Sequence, residues 1–276
     1  MGSSKLLTST QAARLAAVAP STIKRWADDG RLASTRTLGG HRRFERADLA
    51  RLVSEQRGSP AKHPIADAWI EVLVAGHRHD IDARLLEARW RLGSWGRVAD
   101  ELGAVLAELG ARWVAGTLSI AHEHVASDAL RRALARMGDT FPTHPDGPCC
   151  VLACAEGDEH TLGLALVELC ARELGWTPLW LGRRTPSDAI LEVLEDLDVG
   201  VVALSASAVS TDAPRLAAVA AEVGAGCRKH GADLVLGGSG AWPEPPDYGV
   251  RLRSVSAISE RLAARLPTSL ASRSLP

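Results

Sequence analysis

From Cys149 onward, short apolar runs alternate with amphipathic stretches, and this alternation constrains the fold more than any other feature of the 276 residues. It predicts strands at Cys150–Ala155, Thr177–Leu181, Val199–Ser205 and Asp233–Gly237. Between and after them it predicts helices at Thr161–Leu174, Pro186–Leu197, Ala213–His230 and near Val255–Leu266. Strands alternating with helices imply a parallel, doubly wound, Rossmann-like sheet. Ligands of such sheets bind outside the carboxyl ends of the strands. Three polar or glycine-bearing turns fall there: Asp158-Glu159-His160, Ser205-Ala206-Ser207 and Gly237-Gly238-Ser239-Gly240. No GxGxxG follows the first strand, which argues against a dinucleotide site.

The first of these turns carries the chemistry. A neutral imidazole such as His160 is a common metal ligand. A carboxylate two residues earlier, Asp158, can take the proton of the other ring nitrogen and fix ring and tautomer. Gly163 lets a bulky ligand approach the backbone. On these six residues alone, a loop histidine with polar neighbours is an equal reading. Serines at the second turn can donate to a ligand, and glycines at the third let a flat one slide against the backbone.

The formal net charge of -1 hides an asymmetry: residues 1–57 carry 11 Lys and Arg against 5 Asp and Glu, a net of +6. A basic first fifth on an acidic body points to a nucleic-acid module. Thr8-Ser9-Thr10-Gln11 can open a helix with a hydroxyl cap, and Val18-Ala19-Pro20 breaks it. Pro20 suits the first turn of a second helix, Ser21–Asp29. That helix buries Ile23 and Trp26, exposes Ser21, Thr22, Lys24 and Arg25, and ends at Gly30. The pair reads as helix-turn-helix with the second as recognition helix. Leu32–Phe44 reads as a two-stranded wing with Gly39-Gly40 at its tip, followed by His41, Arg42 and Arg43 to meet phosphates. A helix at Glu45–Val53 closes the unit. Gln56–Ala66 is a linker by composition.

Residues 67–139 are helical by pattern, with helices at Ala68–His77, Ile81–Leu92, Ser94–Gly116 and Ser119–Met137. Val98, Leu102, Val105, Leu106 and Leu109 form a bundle stripe, and Trp69, Trp90 and Trp95 read as packing. Trp113 stands near the end of the third helix, with Glu123 and His124 on the next. An antiparallel pair of helices brings all three to one end of the bundle. Taken alone, a core tryptophan and a surface Glu-His pair fit as well. Thr140–Pro148 is a second, Pro-rich linker. No apolar run reaches membrane-spanning length, and the first residues lack a signal-peptide pattern. Five cysteines without CxxC zinc spacing read as reduced core thiols of a cytosolic, cytoplasmic protein.

Several of these stretches resemble known families. Ser21-Thr22-Ile23-Lys24-Arg25-Trp26, Gly30-Arg31-Leu32 and Gly39-Gly40-His41-Arg42-Arg43-Phe44 resemble the MerR-type winged helix-turn-helix. Ala19 departs from it, where a hydroxyl cap is usual. Asp158-x-His160-x-x-Gly163, with Ser205-x-Ser207 and Gly237-Gly238 at the matching turns, resembles the cobalamin-binding domain of B12-dependent proteins. Trp113, nine residues, then Glu123-His124 is similar to the cap of light-responsive B12 regulators of the CarH/LitR type.

The resemblance implies three domains: a winged helix-turn-helix at 6–57, a four-helix-bundle cap at 67–139 and a cobalamin-binding α/β domain at 149–266. It implies that His160 binds cobalt from the lower face, oriented by Asp158, with the displaced base in a slot beside Ser205 and the Gly237-Gly238 turn. Adenosylcobalamin would sit under the cap, with Glu123 on its ribose, Trp113 against the adenosyl group and Ile120 lining the pocket. The partners implied are operator DNA and further copies of the chain, as a dimer or tetramer that light disassembles by cleaving the cobalt–carbon bond. That makes a regulator, and a repressor by resemblance, rather than an enzyme. Val114 departs from the pattern, since some light-responsive members carry there a histidine able to reach cobalt. His122 is less usual, reading as a surface residue or a substitute upper ligand, and Asp158 stands where glutamate is often seen. A light-independent sensor of cobalamin or another tetrapyrrole is an alternative. So is a corrinoid methyl-transfer protein, for which a basic winged helix has no use.

Overall fold

The structure, a computed structural model, describes residues 6–16, 18, 20–37, 39–49, 52, 64–142, 144 and 147–266. It divides into two compact units, residues 1–77 with 104–128 and residues 78–103 with 129–276.

In the first unit, α1 (Ser9–Ala16) is opened by a reciprocal cap. Gln11 N donates to Thr8 Oγ1 at 3.2 Å, and Thr8 N donates to Gln11 Oε1 at 2.9 Å. Two backbone donors of the first turn are thus satisfied at once. Pro20 begins α2 (Pro20–Asp28), where a missing N–H costs nothing. Gly30, at φ 69°, takes the left-handed turn that ends it. The wing is β1 (Thr35–Arg36) paired antiparallel with β2 (Arg42–Arg43), and Leu7 bridges Phe44 beside it. Helix α3 is described over 46–49. Ala12, Ile23, Trp26, Leu32, Phe44 and Leu49 close one apolar core. Thr22 is half-buried rather than exposed. Ala19, the end of the expected Glu45–Val53 helix and most of the first linker lie outside the described residues.

Four helices follow: α4 (Pro64–Ala75), α5 (Arg78–Leu92), α6 (Trp95–Val114) and α7 (Ile120–Gly138). Pro64–Ala66, read as linker from composition, instead opens α4. The breaks fall at Gly76, Gly93 and Gly116, each left-handed. Trp69 and Trp95 are buried, but Trp90 is 89% exposed, a correction to its reading as packing. On α5 the buried positions are Ile81, Leu85 and Ala88, spaced i, i+4, i+7, and Trp90 falls off that stripe.

The second unit holds a parallel sheet in the order β4-β3-β5-β6-β7. The strands are β3 (Cys149–Cys154), β4 (Thr177–Gly182), β5 (Val199–Ser205), β6 (Asp233–Gly237) and β7 (Val250–Arg251). The fifth strand, β7, was not expected. Helices α8 (Leu162–Glu173), α9 (Ser187–Asp196), α10 (Ala213–His230) and α11 (Val255–Ala264) are distributed over both faces. Val151, Ala153, Val202, Leu204, Leu234 and Leu236 point to the α9 and α10 side. Cys150, Leu152, Val201, Ala203 and Val235 point to the α8 and α11 side. This is the period-two alternation of strands buried on both faces. Polar atoms at the rim are met: Asp100 of α6 accepts from Val255 N at 2.6 Å and Ser256 N at 3.2 Å, capping α11 beside Ser254. Buried Asp233 is gripped by both Arg261 Nε at 2.5 Å and Nη2 at 3.0 Å.

The register places the site. Cys154 pairs with Ser205, and Ser205 with Gly237. The chain runs from β3 outward to β4 and then back across β3 to β5, so the order reverses between β3 and β5. Loops leave on either side of that switch and open the crevice where such sheets take ligands.

Candidate functional site

At the carboxyl ends of β3, β5 and β6 the structure gathers Asp158, His160, Gly163, Ser205, Ser207, Gly237 and Gly238. Asp158 is 1% exposed and is the hub. Its Oδ1 accepts from His160 N at 2.9 Å and faces His160 Nδ1 at 3.0 Å. Its Oδ2 accepts from Ser207 N at 2.5 Å and from Ser210 Oγ at 2.7 Å. Burial pushes the Asp158 carboxyl up, but the hydrogen bonds from His160, Ser207 and Ser210 outweigh it and hold the group well below the usual carboxylate range. An ionised carboxylate on Nδ1 fixes the tautomer that carries its proton there, and so leaves Nε2 as the nitrogen with an available lone pair. The imidazole side chain is 61% exposed, above a carboxylate that is not. Ser207 Oγ also lies 3.1 Å from His160 Nδ1.

Ser210 is not among the residues the sequence singles out. Its signal was a third serine recurring past Ser207, after Ala208 and Val209, which periodicity does not weight. A second missed contribution is Arg184, whose φ of 54° is unusual for a residue with a side chain. Its N donates to Asp158 O at 2.8 Å, and its Nη1 reaches Glu159 at 3.1 Å. Such backbone costs about 1–3 kcal/mol, and here its N–H holds the histidine turn.

The opposite wall is backbone. Gly237 O accepts from Ala206 N at 3.1 Å and from Trp242 Nε1 at 2.9 Å, and Gly240 N donates to Ala206 O at 2.8 Å. Gly238 has φ 81°, and a Cβ there would overlap Ala206 O and stand 3.2 Å from Ser205 Oγ. Beside the histidine turn, a groove of about 510 Å3 is lined by Thr161, Ala165, Trp180 and Arg183 with Arg131 and Gly138 of α7. A glycine turn that presents backbone packed on Ala206, a groove beside the histidine turn and an imidazole held by a buried carboxylate fit a broad ligand that offers a metal ion to that imidazole.

In the first unit, α7 is opened by Ser119, whose Oγ accepts from His122 N at 3.1 Å. The Glu123 carboxylate lies 2.6 Å from His124 Nδ1 and accepts from Ser127 Oγ at 2.7 Å. Ile120, His122, His124 and Val125 are exposed around it. Trp113 meets the helix-turn-helix unit: the Arg46 guanidinium lies 4.9 Å from its ring centroid, and Arg46 Nη2 donates to Trp113 O at 2.8 Å. A cation so placed contributes about 0.5–2 kcal/mol. Val114, next along, packs against the helix-turn-helix core. Trp113 Nε1 and Arg46 Nε are buried without a hydrogen-bond partner among the described residues.

On the recognition helix Ser21, Lys24 and Arg25 are exposed, as is His41 on the wing. Arg42 is committed elsewhere. It donates to Lys24 O at 3.0 Å and pairs with Asp28, fastening the wing to α2. Arg43 is half-buried and donates to Arg42 O at 3.0 Å.

These two sites define a helix-turn-helix protein with a B12-binding domain. A helix-turn-helix domain family model matches residues 6–57, and two B12 binding domain models match residues 148–251 and 65–137. The HTH-type transcriptional repressor CarH of Myxococcus xanthus is 32% identical over 230 residues, 70% of this chain and 74% of that one. The chain belongs to that repressor's family. The HTH-type transcriptional repressor CarA of the same organism is 36% identical over 101 residues, 37% of this chain and 33% of that one. Among solved structures, the Methanosarcina barkeri monomethylamine corrinoid protein superposes with a TM-score of 0.53 at 16% identity. That match covers 74% of this chain and 98% of that one, and shows a shared fold. Among the described residues no helix is long and apolar enough to cross a membrane.

Proposed function

We propose that the chain is a light-responsive transcriptional regulator, of repressor type, that binds adenosylcobalamin and operator DNA. The observation that carries the reading is the Asp158–His160 pair at the switch point, facing a turn that only glycine can form. His160 Nε2 would take the lower position on cobalt, and Asp158, Ser207 and Ser210 would hold the ring for it. Gly163, Ser205, Ser207, Gly237 and Gly238 would line the slot for the displaced base. Ile120, Trp113, Glu123 and His124 would cover the upper face, and Ile120 and His124 are exposed. When bound, the cofactor would supply a light-cleavable cobalt–carbon bond.

The head belongs to the reading as a MerR-type winged helix-turn-helix. Ser21, Thr22, Lys24, Arg25 and His41 would meet DNA directly, Arg42 would set the angle of the wing, and Arg43 would support it. A single small head binds weakly. Assembly of the chain into a dimer or tetramer would sum several heads on one operator, and the cofactor would shift that assembly by its differential affinity for two states.

One observation favours a second reading, a cobalamin sensor that does not respond to light. Val114 is packed against the helix-turn-helix core at the place where some light-responsive members carry a second cobalt-seeking histidine.

The test is absorption spectroscopy of the purified chain with adenosylcobalamin, before and after green light, with sizing and DNA retardation in both states. A cobalamin spectrum that changes on illumination together with size and retardation supports the proposal. No cobalamin spectrum refutes it. A spectrum with retardation identical in light and dark leaves the sensor and removes the photoswitch.

A further inference from the structure

Two consecutive residues at the end of α6 are seated on the DNA head. Trp113 lies under the Arg46 guanidinium, which also takes up the Trp113 carbonyl, and partly buried Val114 packs against the core that Ile23, Trp26 and Phe44 build. Arg46 stands at the start of α3, the helix that closes the head. A cation at the carboxyl end of a helix is favourably placed against the helix dipole, so the contact has more than one source of attraction. Yet it is incomplete. Trp113 Nε1 and Arg46 Nε are both buried there without a hydrogen-bond partner among the described residues. Buried donors are almost always satisfied in a finished arrangement. A contact with real attraction that leaves two buried donors without a partner among the described residues is one that another surface can compete for.

We propose that this contact is a latch, in which the DNA head and the upper face of the cofactor compete for Trp113. The proposal rests on the reading of Trp113 as a residue that covers the cofactor. In the free chain Arg46 holds Trp113 and, through it, fixes the head on the end of α6. Packing of Trp113 on the ligand withdraws the indole from Arg46 and releases the head for DNA. Arg46 is thus a positioning residue: it touches neither cobalt nor the adenosyl group, and acts through Trp113. Because the two engagements of Trp113 exclude each other, whatever weakens the latch strengthens cofactor binding, by at most the factor lost from the latch. Val114 gives the device its direction, since a partly buried apolar side chain packed against the head core ties the end of α6 to the head.

The experiment uses the full chain kept in the dark, with adenosylcobalamin as the probe, and reads hydrogen exchange of the peptide covering residues 45–49 together with cofactor affinity from absorption. In the free chain, Arg46→Ala should speed exchange across residues 112–118, and Trp113→Leu should speed it across 45–49. On loading, the wild-type peptide 45–49 should exchange faster. Arg46→Ala should bind adenosylcobalamin more tightly, by about two- to thirtyfold at most, the range that the loss of one cation–π contact allows. Arg46→Lys keeps the charge without the planar fork. It should fall between the two, and serves if the alanine variant does not fold. Loading of the wild type with unchanged exchange at 45–49, or variants that bind no more tightly than wild type, overturns the latch and leaves the cofactor reading intact. A wild-type chain that takes up no cobalamin at all overturns that reading, and the competition with it.

Discussion

The Ser210 hydroxyl donates to the Asp158 carboxylate at 2.7 Å across 52 positions of sequence. It ties the loop after β5 to the turn after β3, on the carboxylate oxygen that does not face His160. Removing it with Ser210→Ala would leave a buried, charged acceptor with one donor fewer. A hydrogen bond to a charged group is worth about 1.5–3 kcal/mol, and stability should fall by an amount in that range. On the proposed reading of His160, cobalamin affinity should fall by up to about 10- to 100-fold, the loss usual for a direct partner of a metal-binding histidine, since Ser210 acts through Asp158. Ser207→Ala should cost less, because the N–H that Ser207 gives Asp158 is backbone and survives the substitution. Urea unfolding and absorption titration of both variants check the order.

Two glycines separate a site effect from a stability effect. Gly238 and Gly249 have φ of 81° and 80°, and a Cβ at either would overlap a carbonyl oxygen, of Ala206 and Leu234 respectively. Alanine at each should destabilise the sheet domain, by about 1–3 kcal/mol from backbone strain alone, with the overlap adding to it. Only Gly238→Ala should also abolish cofactor uptake at a temperature where both variants are folded. Calorimetry and absorption at that temperature decide it.

The sheet was legible to the residue where a polar turn bounded an apolar run. Val199–Ser205, Ala213–His230 and Asp233–Gly237 are found as read. Strand β7 was not, because two residues, Val250 and Arg251, cannot display a period. Trp90 was misread because a tryptophan in a helical segment suggests packing until the buried stripe of that helix is placed. At the site, Asp158 and His160 were legible because their chemistry is local. Ser210 and Arg184 were not, because each acts through a partner set by the fold: a serine joined across strands, and an arginine whose contribution is its backbone. Arg46 was invisible for the same reason, since its partner Trp113 is 67 positions away.

On the head, Lys24 and Arg25 are exposed while Arg42 is already paired with Asp28. Lys24→Ala and Arg25→Ala should each weaken binding to duplex DNA of any sequence and lower the salt slope by about one. Arg42→Ala should weaken binding with a smaller change of slope, since Arg42 is already paired with Asp28 and its loss releases the wing. Fluorescence anisotropy over a range of salt concentrations separates the two behaviours.

All five cysteines are free thiols, and four are buried. Burial, with the Asp158 charge adding to it, pushes Cys154 up to about 12, and burial with Asp233 does the same to Cys227. A raised pKa keeps the thiol neutral until the pH approaches that value, so at pH 8 roughly one part in ten thousand is reactive thiolate. A thiol-specific colour reagent at pH 8 should therefore find at most Cys149 in the native chain, and all five after unfolding. Fast reaction of more than one native thiol would contradict the burial of Cys150, Cys154, Cys170 and Cys227.

Trp69 and Trp90 make opposite predictions within one helical segment. Trp69 is 0% exposed on α4, and replacing it with alanine would open a large cavity, costing about 3–5 kcal/mol. Trp90 is 89% exposed on α5, two positions beyond buried Ala88, and has almost no apolar contact to lose. Trp90→Ser should change stability by no more than about 0.5 kcal/mol. If oligomers form, measuring the unfolding of both variants at low and high protein concentration adds a control. A cost for Trp90→Ser that appears only at high concentration would mean that its indole is buried between copies. A cost at every concentration would mean that α5 packs by a different face from the one Ile81, Leu85 and Ala88 define.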